Sequence, residues 1–462
     1  MVTLTKKSSS NPNYQSLPRA SEPKLYQTIW GILKPLNYFD IMQKRYGDMF
    51  VFPPFAGLPE QVIISNPEAI QQIFTADTSL FESGSVSKVA QPFVGDRSVI
   101  LQDGKRHLRQ RKLLMPPFHG ERMRNYGEQI SSIAQQVMGK VNPGETFIAR
   151  PRMQEISLTV ILHTIFGISE GEKYQQIKTI LTKMLDVFNV PSTSIFLFFK
   201  GLQKDLGVWS PWGRFLHQRQ QLDELLFAII QERRTQGETA GEDILSLLLA
   251  ARDEEGQPMS DSELRDELMT MLFAGHETTA TALAWCLYWV HKLPEVREKL
   301  LAELGSIDID NTDAMEIIKL PYLNAVCSET LRIYPVVFFT LARILQAPMK
   351  LLDYNLPKGT VLSPCIYLTH HNPKIYSEPK KFQPERFLEK QFTPYEYLPF
   401  GGGSRRCLGI AFAQFEMKLV LATLLSHYSF KLMEKNPLLP VRRGLTFAPK
   451  GGVKLIMENS DH

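Results

Sequence analysis

The segment 258–294 leaves the rest of the chain few choices. Ser260 stands where an N-cap belongs, and Glu263 three residues on completes a capping box. Asp261 and Glu263 place acids in the first turn, where the helix dipole favours them. Apolar periodicity then continues to about His291, and Pro294 stops it. Such a helix is long for a globular protein. His276 and Glu277 in its middle argue against a membrane span. It is expected to cross a core, with the other elements packed around it.

The remainder suits that picture. Residues 48–74 read as short strands and a helix, helical periodicity dominates from about Gly127, and 341–368 is again extended with turn residues. The expected fold class is mainly α with a small sheet drawn from distant segments, in one domain. Length alone would allow two domains, but the 462 residues show no internal repeat and no linker between halves. The start, 1–25, is polar and rich in Ser, Pro and Asn, which predicts a flexible tail followed by a single domain over 26–462. It contains no apolar segment for a signal peptide or anchor, so a soluble, cytoplasmic protein is expected. A net charge of +4 is too small to argue for nucleic acid. Cys286, Cys327, Cys365 and Cys407 form no C-x-x-C pair, which argues against a disulfide framework or a zinc ribbon.

Three constellations carry chemistry. In the helix centre, FAGHETTA aligns Gly275, Thr278, Thr279 and Ala282 as a stripe of small residues. The stripe would admit a bulky flat ligand, but taken alone it reads more simply as a helix–helix crossing packed on small residues. The Thr278 hydroxyl can bond the Ala274 carbonyl four residues back, and Glu277 supplies a carboxylate for relaying protons. In ETLR, Glu329 and Arg332 can pair at i, i+3, and Arg386 of FQPERF is a candidate third partner if the pair is buried. In DGKRHLRQRKLL, Lys105, Arg109 and Lys112 share one helix side, while His107 and Arg111 fall opposite. The first set would face solvent and an acidic partner; the second would point at a buried anion.

Cys407 stands in the glycine-rich FGGGSRRCLG, just ahead of an apolar helix. The helix N-terminus, free backbone N–H groups, Arg405 and Arg406 would all favour a thiolate there. No Lys-Ser or Lys-Thr follows the glycines, which argues against a phosphate loop, and no His is placed to activate a nucleophile. A thiolate ligand to haem iron fits these features.

Together these pieces resemble the cytochrome P450 family of haem-thiolate monooxygenases. The pattern F-x-x-G-x-x-x-C-x-G is met by Phe400, Gly403, Cys407 and Gly409. The central-helix pattern is met by Ala274, Gly275, Glu277, Thr278 and Thr279, and the Glu-x-x-Arg pair with its later Arg by Glu329, Arg332 and Arg386. The resemblance implies haem b (iron protoporphyrin IX) buried between the central helix and the Cys-loop helix, with Cys407 as its axial ligand. It makes Arg405, His107, Arg111 and Arg343 partners of the haem propionates, lets Gly401, Gly402 and Gly403 bring the backbone to the porphyrin, and gives Gly409 clearance under the ring. It makes Glu277 and Thr278 the acid–alcohol pair that delivers protons, and Glu329, Arg332 and Arg386 a structural triad.

The resemblance also implies O2 as co-substrate. No flavin or iron–sulfur domain is attached, so electrons should come from a separate donor, a ferredoxin with its reductase, docking at Lys105, Arg109 and Lys112. Substrate should meet residues 83–100, Phe273, 336–339 and 446–448, which are mainly apolar. The apolar run at 195–199 is either core or a substrate entrance in peripheral contact with a membrane. The overall look is similar to soluble bacterial, particularly cyanobacterial, members. Hydroxylation of a long-chain fatty acid or related hydrocarbon by a monomeric enzyme is therefore expected. Oxidation of a terpene or retinoid-like isoprenoid is the alternative, and a haem sensor or carrier without turnover is the rival class.

Overall fold

In the computed structural model the described residues are 17–54, 59–118, 122–186, 200–236 and 243–459. The run 195–199 lies outside them. Helices α1 (Lys24–Leu33) and α2 (Pro35–Tyr46) divide at Lys34, because Pro35 fits a first helical turn but cannot continue a preceding helix. Strands β1 (Met49–Phe52) and β2 (Gln61–Ile64) pair antiparallel, with Met49 opposite Ile64. Helix α3 (Pro67–Thr75) follows, capped by the Asn66 side chain, which accepts from the Ala69 N–H at 3.0 Å. Of the tail expected at 1–25, residues 17–25 are held in place: the Val51 N–H donates to the Pro18 carbonyl at 2.9 Å, and Arg19 pairs with Glu60.

Next come β3 (Phe81–Glu82), α4 (Gln91–Val94), α5 (Gly104–Leu114), α6 (Arg122–Met138), β4 (Thr146–Ile148) and α7 (Ala149–Phe166). After α8 (Glu172–Asp186), α9 (Pro211–Gln236) and α10 (Ile244–Ala250) the chain enters the central helix, α11 (Asp261–Lys292). Both bonds of the capping box between Ser260 and Glu263 are present. Leu293 caps the other end, and Pro294 opens α12 (Pro294–Leu304).

The C-terminal part runs through α13 (Ala314–Ile317), α14 (Pro321–Ile333), β5 (Arg343–Leu345), β6 (Met349–Leu351), β7 (Tyr354–Leu356) and β8 (Val361–Pro364). It ends with α15 (Ile366–His370), α16 (Arg386–Glu389), α17 (Ile410–His427), β9 (Phe430–Leu432), β10 (Pro440–Arg443), β11 (Thr446–Pro449) and β12 (Lys454–Met457). The largest sheet has the order β1-β2-β8-β5-β3, so it joins strands some three hundred residues apart, as distant extended segments require. Strands β4, β12 and β9 form a second sheet that ties the chain end to the start of α7.

Helices α7, α11 and α17 are buried on nearly every side, and α7 and α17 both pack on α11. Leu283, Trp285 and Leu419 are fully buried there. Burying each such side chain contributes about 1.5–3 kcal/mol, and truncating Trp285 to Ala would cost about 3–5 kcal/mol. The mainly α architecture with small sheets is as expected. Cys286, Cys327 and Cys365 are buried and unpaired; Cys407 is the accessible one.

Candidate functional site

The Cys407 loop is shaped by α3. A Cβ on Gly402 would lie 2.2 Å from the Phe74 ring, and one on Gly403 would lie 2.8 Å from the Phe74 carbonyl oxygen. Gly403 also sits at φ +63°, where side chains are strained. Gly402 and Gly403 thus permit a close approach to Phe74, a contact that helical spacing did not predict. Gly409 is different: a Cβ there would meet nothing within 4 Å, so no protein atom accounts for the glycine. The Cys407 N–H donates to the Phe400 carbonyl at 3.0 Å, which folds the loop back on itself.

Cys407 is densely surrounded by protein yet keeps its contact with solvent, as a group lining an interior recess does. Burial raises its thiol pKa; the Gly409 backbone N–H, Arg111 and Arg406 pull it down, with burial the larger effect. The expected charge partner Arg405 is not among these groups, and the thiolate is not favoured by the protein alone. A metal cation at sulfur deprotonates a thiol outright, so this site suits a metal-bound thiolate.

Beside it lies a group of cations with too few anions. His107 and Arg111 sit on the inner side of α5 as predicted, His107 buried and Arg111 partly so. Burial, then the charges of Arg405 and Arg111, push the His107 pKa down to about 4. Burial and then Arg405 lower Arg343 to about 10. The Arg111 side chain has no hydrogen bond among the described residues. Arg343 donates to the Leu341 and Gly402 carbonyls at 3.0 and 2.9 Å and lies over the Phe74 ring. Arg405 is more committed than expected. It donates to the Val99 and Gln102 carbonyls at 3.2 and 2.6 Å and pairs with Asp103. Asp103 is itself held by the Ser83 and Gly84 N–H groups at 2.9 and 2.8 Å. With His107 held neutral, one carboxylate stands against Arg111, Arg343 and Arg405, which leaves positive charge without a counter-ion, costly unless a ligand brings anions. The two propionates of haem have that chemistry, and the open thiol of Cys407 has the chemistry for its iron.

On α11 the Thr278 hydroxyl donates to the Ala274 carbonyl at 2.6 Å, as predicted. Ala274 is exposed and Thr278 half-buried in a helix otherwise mostly closed. The rest of the small stripe has the simpler role. A Cβ on Gly275 would lie 2.8 Å from the Ile161 side chain of α7, and Thr279 and Ala282 are buried, so those positions serve a helix crossing. Glu277 also faces α7. It pairs with Arg150 and accepts from the Gln154 amide at 2.7 Å, so both of its oxygens have partners on α7.

The triad forms as predicted. Glu329 accepts from Arg332 at 2.6 and 2.8 Å and from Arg386 at 3.1 Å, with Glu329 and Arg332 fully buried. The predicted outward basic face is largely neutralised: Arg109 pairs with Asp253 and Glu263, and Lys112 with Glu254, while Lys105 is exposed. Among the expected substrate segments, Phe93 packs on Phe273 at 5.0 Å and on Phe215 at 5.1 Å. Val337 and Phe339 are partly accessible, whereas Phe338 and Phe447 are core residues packed on each other. Sequence reading missed Asp103, Arg150, Gln154 and Phe74. Their roles depend on tertiary contacts that leave no spacing signal.

The chain is similar to known proteins along nearly its whole length. The cytochrome P450 family profile matches residues 25–456. Cytochrome P450 135B1 of Mycobacterium tuberculosis is 32% identical over 437 residues, covering 94% of this chain and 90% of that protein. Cytochrome P450 138 of the same organism is 30% identical, covering 95% and 96%. The solved structure of retinoic-acid-bound cyanobacterial CYP120A1 superposes with a TM-score of 0.81 at 26% identity, covering 96% of this chain and all of that one. The cytochrome P450DA heme domain has the same fold, with a TM-score of 0.83 at 22% identity, covering 97% and 98%. With the profile spanning nearly its full length, the chain belongs to the cytochrome P450 family of haem monooxygenases.

Proposed function

We propose that this enzyme inserts one oxygen atom from O2 into a long, apolar substrate, with a long-chain fatty acid or related hydrocarbon as the first candidate. The observation that carries the reading is the accessible Cys407 beside His107, Arg111, Arg343 and Arg405. Cys407 would hold the iron of haem b, and the four basic side chains would face its propionates, with Arg111 the freest to do so. Bound haem would supply the redox chemistry: two electrons from a separate donor and two protons reduce O2, one oxygen atom entering the substrate and the other leaving as water.

The chain's own groups then orient and protonate. Phe273, Val337 and Phe339 present apolar surface, so selection is mainly by shape. The Thr278 Oγ1 atom, parked on the Ala274 carbonyl, holds a proton that it can pass on and recover. Glu277 resupplies it only after releasing Arg150 and Gln154, which makes those two residues regulators of the relay. We take the electron donor to be a ferredoxin with its reductase, and the enzyme to be a monomeric, single-domain protein of the cytoplasm.

A second reading is oxidation of a retinoid-like isoprenoid, favoured by the retinoic acid bound in a structure 26% identical to this chain. Titrating the purified ferric protein with myristic acid and with retinoic acid, while following the haem Soret band, separates the two. A shift with myristic acid is expected; a shift with retinoic acid alone reverses the order. Thr278→Ala should keep haem yet spend electrons without product. Unchanged product per electron would remove Thr278 from the relay and favour no proton-delivery role for this helix.

A further inference from the structure

Residues 95–99 run beside the central helix and are bonded to it in consecutive steps. The Arg97 N–H donates to the Asp266 carboxylate at 2.7 Å, and the Val99 N–H donates to Glu267 Oε1 at 2.7 Å. Between them the Thr270 hydroxyl meets the Ser98 hydroxyl at 2.7 Å. Gly95, at φ +84°, completes the fit: a Cβ there would fall 2.1 Å from the Asp266 carboxylate. Asp266 is in turn paired with Arg265, which pairs with Asp223 of α9. Two walls, α9 and segment 95–99, are thereby joined through one turn of α11.

The position of this turn matters. Eleven residues separate Glu267 from Thr278, which at about 100° per residue returns to within about 20° of the same direction, about 16 Å along the axis. Glu267, Met271, Ala274 and Thr278 therefore form one stripe, open at Ala274 and sealed at Glu267. We propose that Asp266 and Glu267 are specificity-determining positioning residues: they clamp segment 95–99 to α11 and so close the end of the substrate recess far from Thr278. This rests on the reading that residues 83–100 face the substrate.

Glu267 is suited to the part as a neutral acid. It is 1% exposed, its Oε2 has no hydrogen-bond partner among the described residues, and burial with the nearby Asp266 and Glu263 holds its carboxyl well above the usual carboxylate range. A Gln should replace it without loss, because the amide oxygen can still accept from Val99.

The experiment compares the wild-type holoenzyme with Glu267→Gln, Glu267→Ala and Gly95→Ala. Hydrogen exchange at the Arg97 and Val99 amides reads the clamp. Optical titration of the ferric haem with imidazole and with N-dodecylimidazole reads the far wall, since the two share a ligating ring and only the second is long enough to reach that wall. In Glu267→Ala, exchange at Val99 should quicken about tenfold, and N-dodecylimidazole should weaken relative to imidazole by about threefold. Glu267→Gln should match the wild type in both. Gly95→Ala, which crowds the Asp266 carboxylate without substituting any residue of α11, should quicken Arg97 exchange and move the ligand ratio the same way; it decides the matter if Glu267→Ala does not fold. Unchanged exchange overturns the clamp. Faster exchange with an unchanged ligand ratio, or a Gln variant that behaves like Ala, overturns the specificity role. Neither arm uses substrate, so failure of the fatty-acid reading would show separately, as a wild-type protein with no Soret response to myristic acid.

Discussion

Two groups of buried charge in this molecule resemble each other in sequence and differ in construction. In the knot of Glu329, Arg332 and Arg386, the two oxygens of one carboxylate meet both guanidinium groups. Arg332 spends further donors on the His370 and Pro379 carbonyls at 2.8 Å each. The group of His107, Arg111, Arg343 and Arg405 has only Asp103 among them, and the Arg111 side chain bonds to nothing described. A satisfied buried ion pair rigidifies the fold it sits in, whereas an unsatisfied one marks a place where the protein expects a ligand. The knot is therefore structural, and the second group is the receptor for haem propionates that we propose.

Breaking the knot should give the largest effect. Glu329→Ala strands two buried arginines and should destabilise the protein by about 3–5 kcal/mol, read as a lowered urea midpoint or loss of soluble protein. A midpoint equal to wild type would mean the knot holds nothing. Acid should attack the same region next. Burial, then Arg332 and His371, push the His370 pKa well below its ordinary value, and its Nε2 accepts from the Leu398 N–H at 2.9 Å. His371 is lowered to about 3 by burial and Arg332. Between pH 6.5 and 3 the unfolded chain binds protons that the folded His371 refuses, so stability is present above about 6.5 and lost as pH falls. At pH 5 the loss is about 2 kcal/mol for His371 alone. Urea midpoints that rise between pH 7 and pH 5 would contradict this.

The cation group should respond in the opposite sense. Arg111→Gln removes like-charge repulsion, so the haem-free protein should be as stable as wild type or slightly more so. The haem should dissociate about tenfold faster, as expected for losing one charge-assisted contact. If Arg111→Gln instead weakens the haem-free fold as much as a knot mutation does, the distinction fails. The smallest effect belongs to the outer side of α5. Arg109→Ala should cost about 1 kcal/mol or less, because its pairs with Asp253 and Glu263 are partly solvated. It should also leave the salt dependence of reduction by ferredoxin nearly unchanged, whereas Lys105→Glu, at an exposed position with no ion pair among the described residues, should reduce it.

What could be read from the sequence was local. Ser260 and Glu263 cap one another three residues apart, Thr278 reaches the carbonyl four residues back, and Glu329 meets Arg332 on one helix face. Each interaction has a fixed spacing, so each was visible. The division of α5 into His107 and Arg111 on one side and Arg109 on the other was visible for the same reason. Partners supplied by the tertiary fold were not. Arg150 and Gln154 approach Glu277 from more than a hundred residues away, and Phe74 explains Gly402 from a helix in the first sixth of the chain. Helical spacing predicted which way Arg109 points but not that Asp253 and Glu263 wait there. Gly275 shows the ambiguity most plainly: a small residue permits close approach, and only the fold reveals that Ile161 is what approaches.

The central claim is that Cys407 and the unpaired cations hold a haem with sulfur on its iron. Its most direct test is the absorption spectrum of the purified protein, reduced and saturated with carbon monoxide. The account predicts a red protein whose CO complex absorbs at the position characteristic of thiolate-ligated haem, with that band lost in Cys407→Ala. A colourless preparation from haem-replete cells, or a CO band at the position of histidine-ligated haem, would contradict it.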